Sequence, residues 1–151
     1  MSALYDIQVR LESRRGGVTV RWARSTARKI LKALGWKKAA LSLFFVSDRK
    51  IRVINRKHLR HDWPTDVISF SQIEGRKSPA AAAPMMGDIV ISLDTAARQA
   101  REWGNPFLYE VAFYLCHGIL HLMGHDDGTP AKRNRMLNKQ ARLLRKIGIK
   151  K

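Results

Sequence analysis

Two histidines four residues apart are the strongest chemical signal in this chain of 151 residues. His117 and His121 lie in an apolar segment that predicts a helix, and residues at this spacing share one helical face. Their imidazoles can therefore bind a single metal ion. Gly124 lets the chain leave the helix, so that a following residue can turn back as a third ligand. Asp127 stands there, and a carboxylate oxygen is a competent ligand for zinc.

The third ligand has two alternatives close by. His125 offers a nitrogen donor, but it could reach the ion only if the helix continued through Gly124. We favour Asp127, with Asp126 as a lesser candidate or as a partner that orients a ligating imidazole. Three protein ligands leave a fourth position for water, which is the pattern of catalytic zinc sites and not of structural ones.

Metzincin proteases place two histidines, a glycine and a third ligand at the same spacing. In those enzymes a glutamate follows the first histidine and acts as general base, whereas Gly118 stands at that position here. A peptidase of this type would lack the group that deprotonates the attacking water. A metallopeptidase therefore remains an alternative function.

Alternating strand and helix patterns predict the scaffold around this segment. Apolar alternation predicts strands over residues 5–11, 40–46, 66–71 and 88–92. Helical spacing predicts helices over residues 20–34, 51–59, 107–123 and 131–149, and one that ends at residue 103. We expect one domain over residues 1–151 with an α/β (α+β) fold, a four-stranded mixed sheet packed with about five helices. The helix over 107–123 is apolar nearly all round, so it should be central and buried, with the metal site at its end.

The chain is strongly basic, with 29 Lys and Arg against 12 Asp and Glu and a net charge of +17. The excess is uneven, since residues 1–60 carry +13, residues 61–129 carry −5 and residues 130–151 carry +9. Basic surfaces bind polyanions by releasing condensed counterions, which favours a nucleic-acid partner over an anionic membrane. The RNA-binding candidates crowd one short helix and its exit: Arg49, Lys50, Arg52, Arg56, Lys57 and Arg60. The basic face of the last helix is a second candidate surface.

Cysteine content and hydropathy limit the possible environments. The one cysteine, Cys116, excludes an internal disulfide framework and suits a reducing compartment, so we expect a cytoplasmic protein with no disulfide partner. No run of about 18 apolar residues occurs, which argues against a membrane span. Cys116 points about 100° away from its neighbour His117 on a helix and should pack in the core rather than bind the metal.

Three ordered blocks of sequence resemble the YbeY family of bacterial rRNA maturation factors. The family hallmark His-Gly-x-Leu-His-Leu-x-Gly-Tyr-Asp-His corresponds to residues 117–127. The blocks Pro-Thr-Asp-Val-Leu-Ser-Phe and Gly-Asp-Ile-x-Ile-Ser correspond to residues 64–70 and 87–92. The resemblance implies a zinc-dependent endoribonuclease with one zinc ion, which hydrolyses single-stranded RNA. It further implies a role at the small ribosomal subunit, in rRNA 3′-end maturation and ribosome quality control.

The chain departs from the family pattern at two places. The last histidine of the hallmark is Asp127 here, and its tyrosine is His125. The family also carries an arginine four residues after the asparagine that corresponds to Asn55. That position is Leu59, and Arg60 follows it as a candidate catalytic cation.

A third function remains as an alternative. It is a nonenzymatic RNA-binding factor for ribosome assembly that is stabilised by zinc, and it would use the same basic surface.

Overall fold

Four strands and five helices are present in the computed structural model, which describes residues 4–59, 67–71, 84–125 and 127–151. In chain order these are β1 (Leu4–Leu11), α1 (Val20–Ala33), β2 (Lys38–Val46), α2 (Asp48–Leu59), β3 (Val67–Ser71), β4 (Met85–Ser92), α3 (Leu93–Trp103), α4 (Phe107–Leu122) and α5 (Pro130–Lys146). The predicted α/β class, strand number and helix number are confirmed. Within the described ranges, no helix is both long enough and apolar enough to cross a membrane.

The strands form one mixed sheet in the order β1-β2-β4-β3. The first three of these run parallel, and β3 pairs antiparallel with β4. Val9, Leu43 and Ile89 stand side by side across the parallel strands, and Ser69 of β3 pairs with Ile89. Successive strand residues point to opposite faces of the sheet, so the two faces can pack against different helices.

The two faces of the sheet carry different helices. Ile89 belongs to the main core and lies against Gly118 of α4. Its neighbour Val90 belongs to a second cluster, with Ile68 and with Ile51 of α2. Adjacent residues of one strand face opposite ways, so α4 and α2 lie on opposite faces of the sheet.

Helix α4 is the centre of the core, as its composition predicts. Eleven of its 16 residues are buried, and it packs against α3, α5, β3 and β4. Its buried acid, Glu110, accepts a hydrogen bond of 2.6 Å from the Asn105 side chain, which offsets the cost of burying a carboxylate.

Two helix boundaries differ by three residues from the predicted ones. Helix α2 begins at Asp48 and not at residue 51. The sequence offers Ser47 and Asp48 as its N-cap, and Ser47 Oγ does accept the backbone N–H of Lys50 at 3.2 Å and caps this first turn. Helix α5 ends at Lys146 and not at Ile149. Gly148 takes a φ of 84° there, and the backbone N–H of Ile149 closes on Leu144 O at 2.9 Å, which stops the helix.

A carboxylate network joins the start of α2 to the start of α3. Asp48 accepts hydrogen bonds of 2.6 Å from the hydroxyls of Ser92 and Thr95 and forms an ion pair with Arg98. Asp94 in turn accepts the backbone N–H of Asp48 at 2.8 Å. Burial acts to raise the pKa of the Asp48 carboxyl, but the hydrogen bonds from Ser92, Thr95 and Arg98 outweigh it and hold that pKa below its usual value.

The close approach of α4 to the sheet requires glycine at Gly87. A Cβ placed there would lie 2.6 Å from Leu122 Cδ2 and 2.9 Å from the backbone O of Phe70. We expect Gly87→Ala to lower the free energy of unfolding by about 1–3 kcal/mol through overpacking. Gly16→Ala is the matched control, because its Cβ would meet only Phe107, at 3.4 Å. It should change the free energy of unfolding by less than about 0.5 kcal/mol. Urea unfolding measures both, and equal effects would contradict the proposed contact.

The Asp48 network predicts a pH-dependent stability. Because the pKa of Asp48 is lower in the folded chain, its stabilisation is complete above the unfolded pKa of about 3.9 and is lost as pH falls through the folded value. Asp48→Asn should lower the free energy of unfolding at neutral pH by about 1–2 kcal/mol. The variant should also lose less of its free energy of unfolding between neutral pH and about pH 3, as measured by urea unfolding at both pH values. An unchanged decline would show that another group causes it.

Candidate metal centre

The end of α4 brings two imidazoles and one carboxylate together. The ring centroids of His117 and His121 are 4.8 Å apart. Asp127 places Oδ2 at 3.7 Å from His117 Nε2 and Oδ1 at 3.6 Å from His121 Nε2. One ligand atom from each residue lies within 4.8 Å of the other two. The structure thus brings together the three residues that sequence spacing favours as metal ligands.

The turn after α4 makes this convergence possible. Gly124 has a φ of 92°, a left-handed conformation that glycine adopts without steric cost. Its N–H bonds to His121 O at 2.9 Å, and the N–H of His125 bonds to Leu120 O at 3.1 Å. This pair of bonds is a Schellman motif, which ends the helix and reverses the chain. Asp127 can therefore return to the histidines, whereas a continued helix would carry it away.

The donor set fits a zinc ion in both chemistry and spacing. At ligand distances of about 2.0–2.1 Å, tetrahedral zinc separates neighbouring ligand atoms by about 3.3–3.4 Å. The carboxylate-to-imidazole distances of 3.6 and 3.7 Å need only a small contraction to reach that value. The side chains of His117, His121 and Asp127 are 20%, 38% and 36% exposed, so solvent reaches the centre. This exposure is typical of an open catalytic site.

Gln140 of α5 determines which nitrogen His117 can offer. Its Nε2 donates to the backbone O of Phe113 at 3.1 Å, and its Oε1 lies 3.0 Å from His117 Nδ1. A backbone carbonyl can only accept, so the amide N must face Phe113 and the amide O must face the histidine. His117 Nδ1 is therefore the protonated donor, and Nε2 keeps its lone pair toward Asp127 and the candidate ion.

Sequence reasoning missed Gln140. In the structure it is 1% exposed, in a helix whose other polar side chains are mostly basic and exposed. The signal in the sequence is its spacing of four residues from Met136 and from Leu144, which places it on the apolar face of the helix. An uncharged polar residue on such a face requires partners when buried, which is the physical signature of a structural or orienting role.

Comparison with known proteins identifies the family. The sequence model described as Endoribonuclease YbeY matches residues 9–148. The chain belongs to the endoribonuclease YbeY family. A protein from Anaeromyxobacter sp. strain Fw109-5 named Endoribonuclease YbeY is 44% identical over 143 residues, which cover 93% of this chain and 72% of that protein. One of the same name from Syntrophotalea carbinolica is 42% identical over 132 residues, covering 86% and 87%.

A solved structure is similar in fold. The solution structure of TM1509 from Thermotoga maritima superposes with a TM-score of 0.65 at 24% identity, covering 93% of this chain and 88% of that one. At this identity the likeness concerns the fold alone. It agrees with the α/β architecture described above.

Other candidate residues of this YbeY-family chain take different places. His125 is outside the group of converging ligand atoms among the described residues, because the helix ends before it. Arg60 and Asp126 lie outside the described residues. The candidates Arg49, Lys50, Arg52, Arg56 and Lys57 are exposed on α2, on the opposite face of the sheet from α4.

Gly118 and Cys116 face away from the metal centre. A Cβ on Gly118 would lie 2.8 Å from Ile89 Cγ2, so this position is pressed against the sheet and could not present a catalytic glutamate to the metal. Cys116 is buried, as predicted, and its burial raises the pKa of its thiol to about 12. Cys116 also lies outside the group of converging ligand atoms among the described residues, so we interpret it as a packing residue.

Gln140→Leu tests the orienting hydrogen bond. It keeps the side chain near its size but removes the acceptor, so we expect zinc affinity to fall about 10–100-fold. Competition with a chromophoric chelator measures the affinity. Leu137→Gln, an exposed position of the same helix, is the control and should leave it unchanged. Equal zinc affinity in wild type and Gln140→Leu would show that Gln140 does not support zinc binding.

Proposed function

We propose that this chain is an endoribonuclease that hydrolyses single-stranded RNA with one zinc ion held by His117, His121 and Asp127. The observation that carries the proposal is the convergence of these three donors at a solvent-reached point. Two further facts support it. Curated relatives that align over most of the chain are named endoribonucleases, and a net charge of +17 favours a polyanionic substrate.

The chain's own residues prepare this site for hydrolysis. When bound, zinc supplies a Lewis acid that polarises a phosphoryl oxygen and makes a coordinated water more acidic. The Gln140 amide holds His117 in the tautomer that presents Nε2. Two nitrogens and one carboxylate oxygen suit zinc among the common divalent ions. His121 and Asp127 remain more than one-third exposed, which leaves room for a phosphodiester beside the ligands.

The geometry argues against both alternative functions. A peptidase of the metzincin type needs a general base at the position of Gly118, which packs against the sheet. A purely structural zinc site would have four protein ligands and would be closed to solvent. Among the described residues only three donors converge, and they are partly exposed.

The finer assignments rest on the family resemblance. They are a role in small-subunit rRNA 3′-end maturation and ribosome quality control, with the ribosome as partner and the cytoplasm as location. The single buried cysteine without a disulfide suits that compartment. Arg60 is proposed as a catalytic cation, and residues 1–151 are proposed to act as one domain.

Removing the ligands tests the proposal. His117→Ala combined with His121→Ala should abolish zinc binding and lower the RNA cleavage rate at least about 100-fold, because no Lewis acid remains. Metal content per chain and cleavage of a labelled single-stranded RNA are the measurements, with circular dichroism to verify folding. A folded double variant that cleaves RNA at the wild-type rate would overturn the metal-dependent mechanism.

A second pair of variants tests the third ligand. Asp127→Ala should lower zinc content well below one ion per chain, whereas His125→Ala should retain it, since His125 lies outside the ligand group. Zinc retained in Asp127→Ala and lost in His125→Ala would assign the third ligand position to His125.

A further inference from the structure

A basic groove lies beside the candidate metal centre, between the turn after α4 and one face of α5. Its volume is about 670 Å³. The lining residues are Gly124, His125, Lys132, Arg135, Met136, Asn138, Lys139 and Arg142. We call this the α5 groove. Among the described residues that line it, none is acidic and four are cationic.

The four cations of the α5 groove follow one helical face. Lys132, Arg135, Lys139 and Arg142 are spaced by three, four and three residues, which aligns them along the helix. At 1.5 Å per residue the row is about 15 Å long. A single phosphate or carboxylate ion would occupy only part of that length. The spacing fits an extended chain of anionic groups.

Two residues that line the α5 groove are close neighbours in the chain of residues in the metal centre. His125, at one wall, lies in the chain between the ligands His121 and Asp127. Lys139, at the other wall, precedes Gln140, whose amide contacts His117. The same helix therefore orients a metal ligand with its buried face and presents cations with its exposed face.

We propose that the α5 groove binds the phosphodiester backbone of a single-stranded RNA as it enters the metal centre. This inference rests on the proposed function and adds the path of the substrate. Arginine binds phosphate oxygens in bidentate fashion, and such backbone contacts position a strand without reading its sequence. The α5 groove shares Gly124 and His125 with the turn that carries Asp127, whereas α2 packs on the opposite face of the sheet from α4.

The α5 groove can be tested by binding alone. A fluorescein-labelled single-stranded RNA is titrated with chain kept metal-free by a chelator, and anisotropy gives Kd at several salt concentrations. Arg135→Ala with Arg142→Ala should raise Kd about tenfold and reduce the salt slope by about 1.4, since each single-strand phosphate contact contributes about 0.7. Both residues are exposed, so folding should be retained.

Two matched variants separate local contact from general charge. Lys29→Ala with Lys32→Ala removes the same charge from exposed positions of α1 and should change Kd less than about twofold, with the salt slope unchanged. Arg135→Lys with Arg142→Lys restores the charge and should recover most of the affinity. Equal losses in the α1 and α5 variants, or no recovery with lysine, would overturn the proposal.

The outcomes also distinguish this proposal from the proposed function. If RNA cleavage depends on the metal ligands but RNA affinity is unchanged in the groove variant, the nuclease assignment stands and the groove assignment fails. If the groove variant loses RNA affinity but the wild-type chain loaded with zinc does not cleave RNA, the groove assignment stands and the nuclease assignment fails. Poly-glutamate of equal charge serves as a competitor, and binding as tight as that of RNA would identify an acidic protein as the partner and overturn the RNA assignment.

Discussion

The metal centre depends on a helix that is buried along most of its length and whose most exposed side chain, His121, lies near its end. Helix α4 is held between the sheet, α3 and α5, so His117 and His121 have little freedom to move. The left-handed Gly124 then reverses the chain two residues after the helix end and returns Asp127 to them. A rigid helix supplies two ligands and a tight turn supplies the third, which keeps the entropic cost of assembling the centre low.

Helix α5 connects the centre to the substrate side of the molecule. Its buried Gln140 contacts His117, while its exposed cations line the α5 groove. The same packing of α5 on α4 therefore orients a metal ligand and sets the distance from that ligand to the basic surface. The structure therefore places part of the positive charge of residues 130–151 along the α5 groove, which a count of charges could not show.

Much of the scaffold follows from local patterns. Alternation and helical spacing predicted four strands and five helices, and Gly124 predicted where α4 ends, because these signals act between residues close in sequence. The boundaries of α2 and α5 were less accurate. Each depends on the last bond that caps or closes a helix, the Ser47 cap in α2 and the Gly148 turn in α5, and not on periodicity.

The sequence by itself determined the chemistry of the donors, since His117 and His121 one turn apart and a carboxylate after Gly124 require only helical geometry to become neighbours. It also determined the fold class and the positive charge. Only the tertiary structure decided that Gln140 orients His117, that Gly118 faces the sheet, and that α5 packs beside the centre. The reason is that these relations join residues far apart in the chain, whose proximity arises from packing across helices and sheet faces.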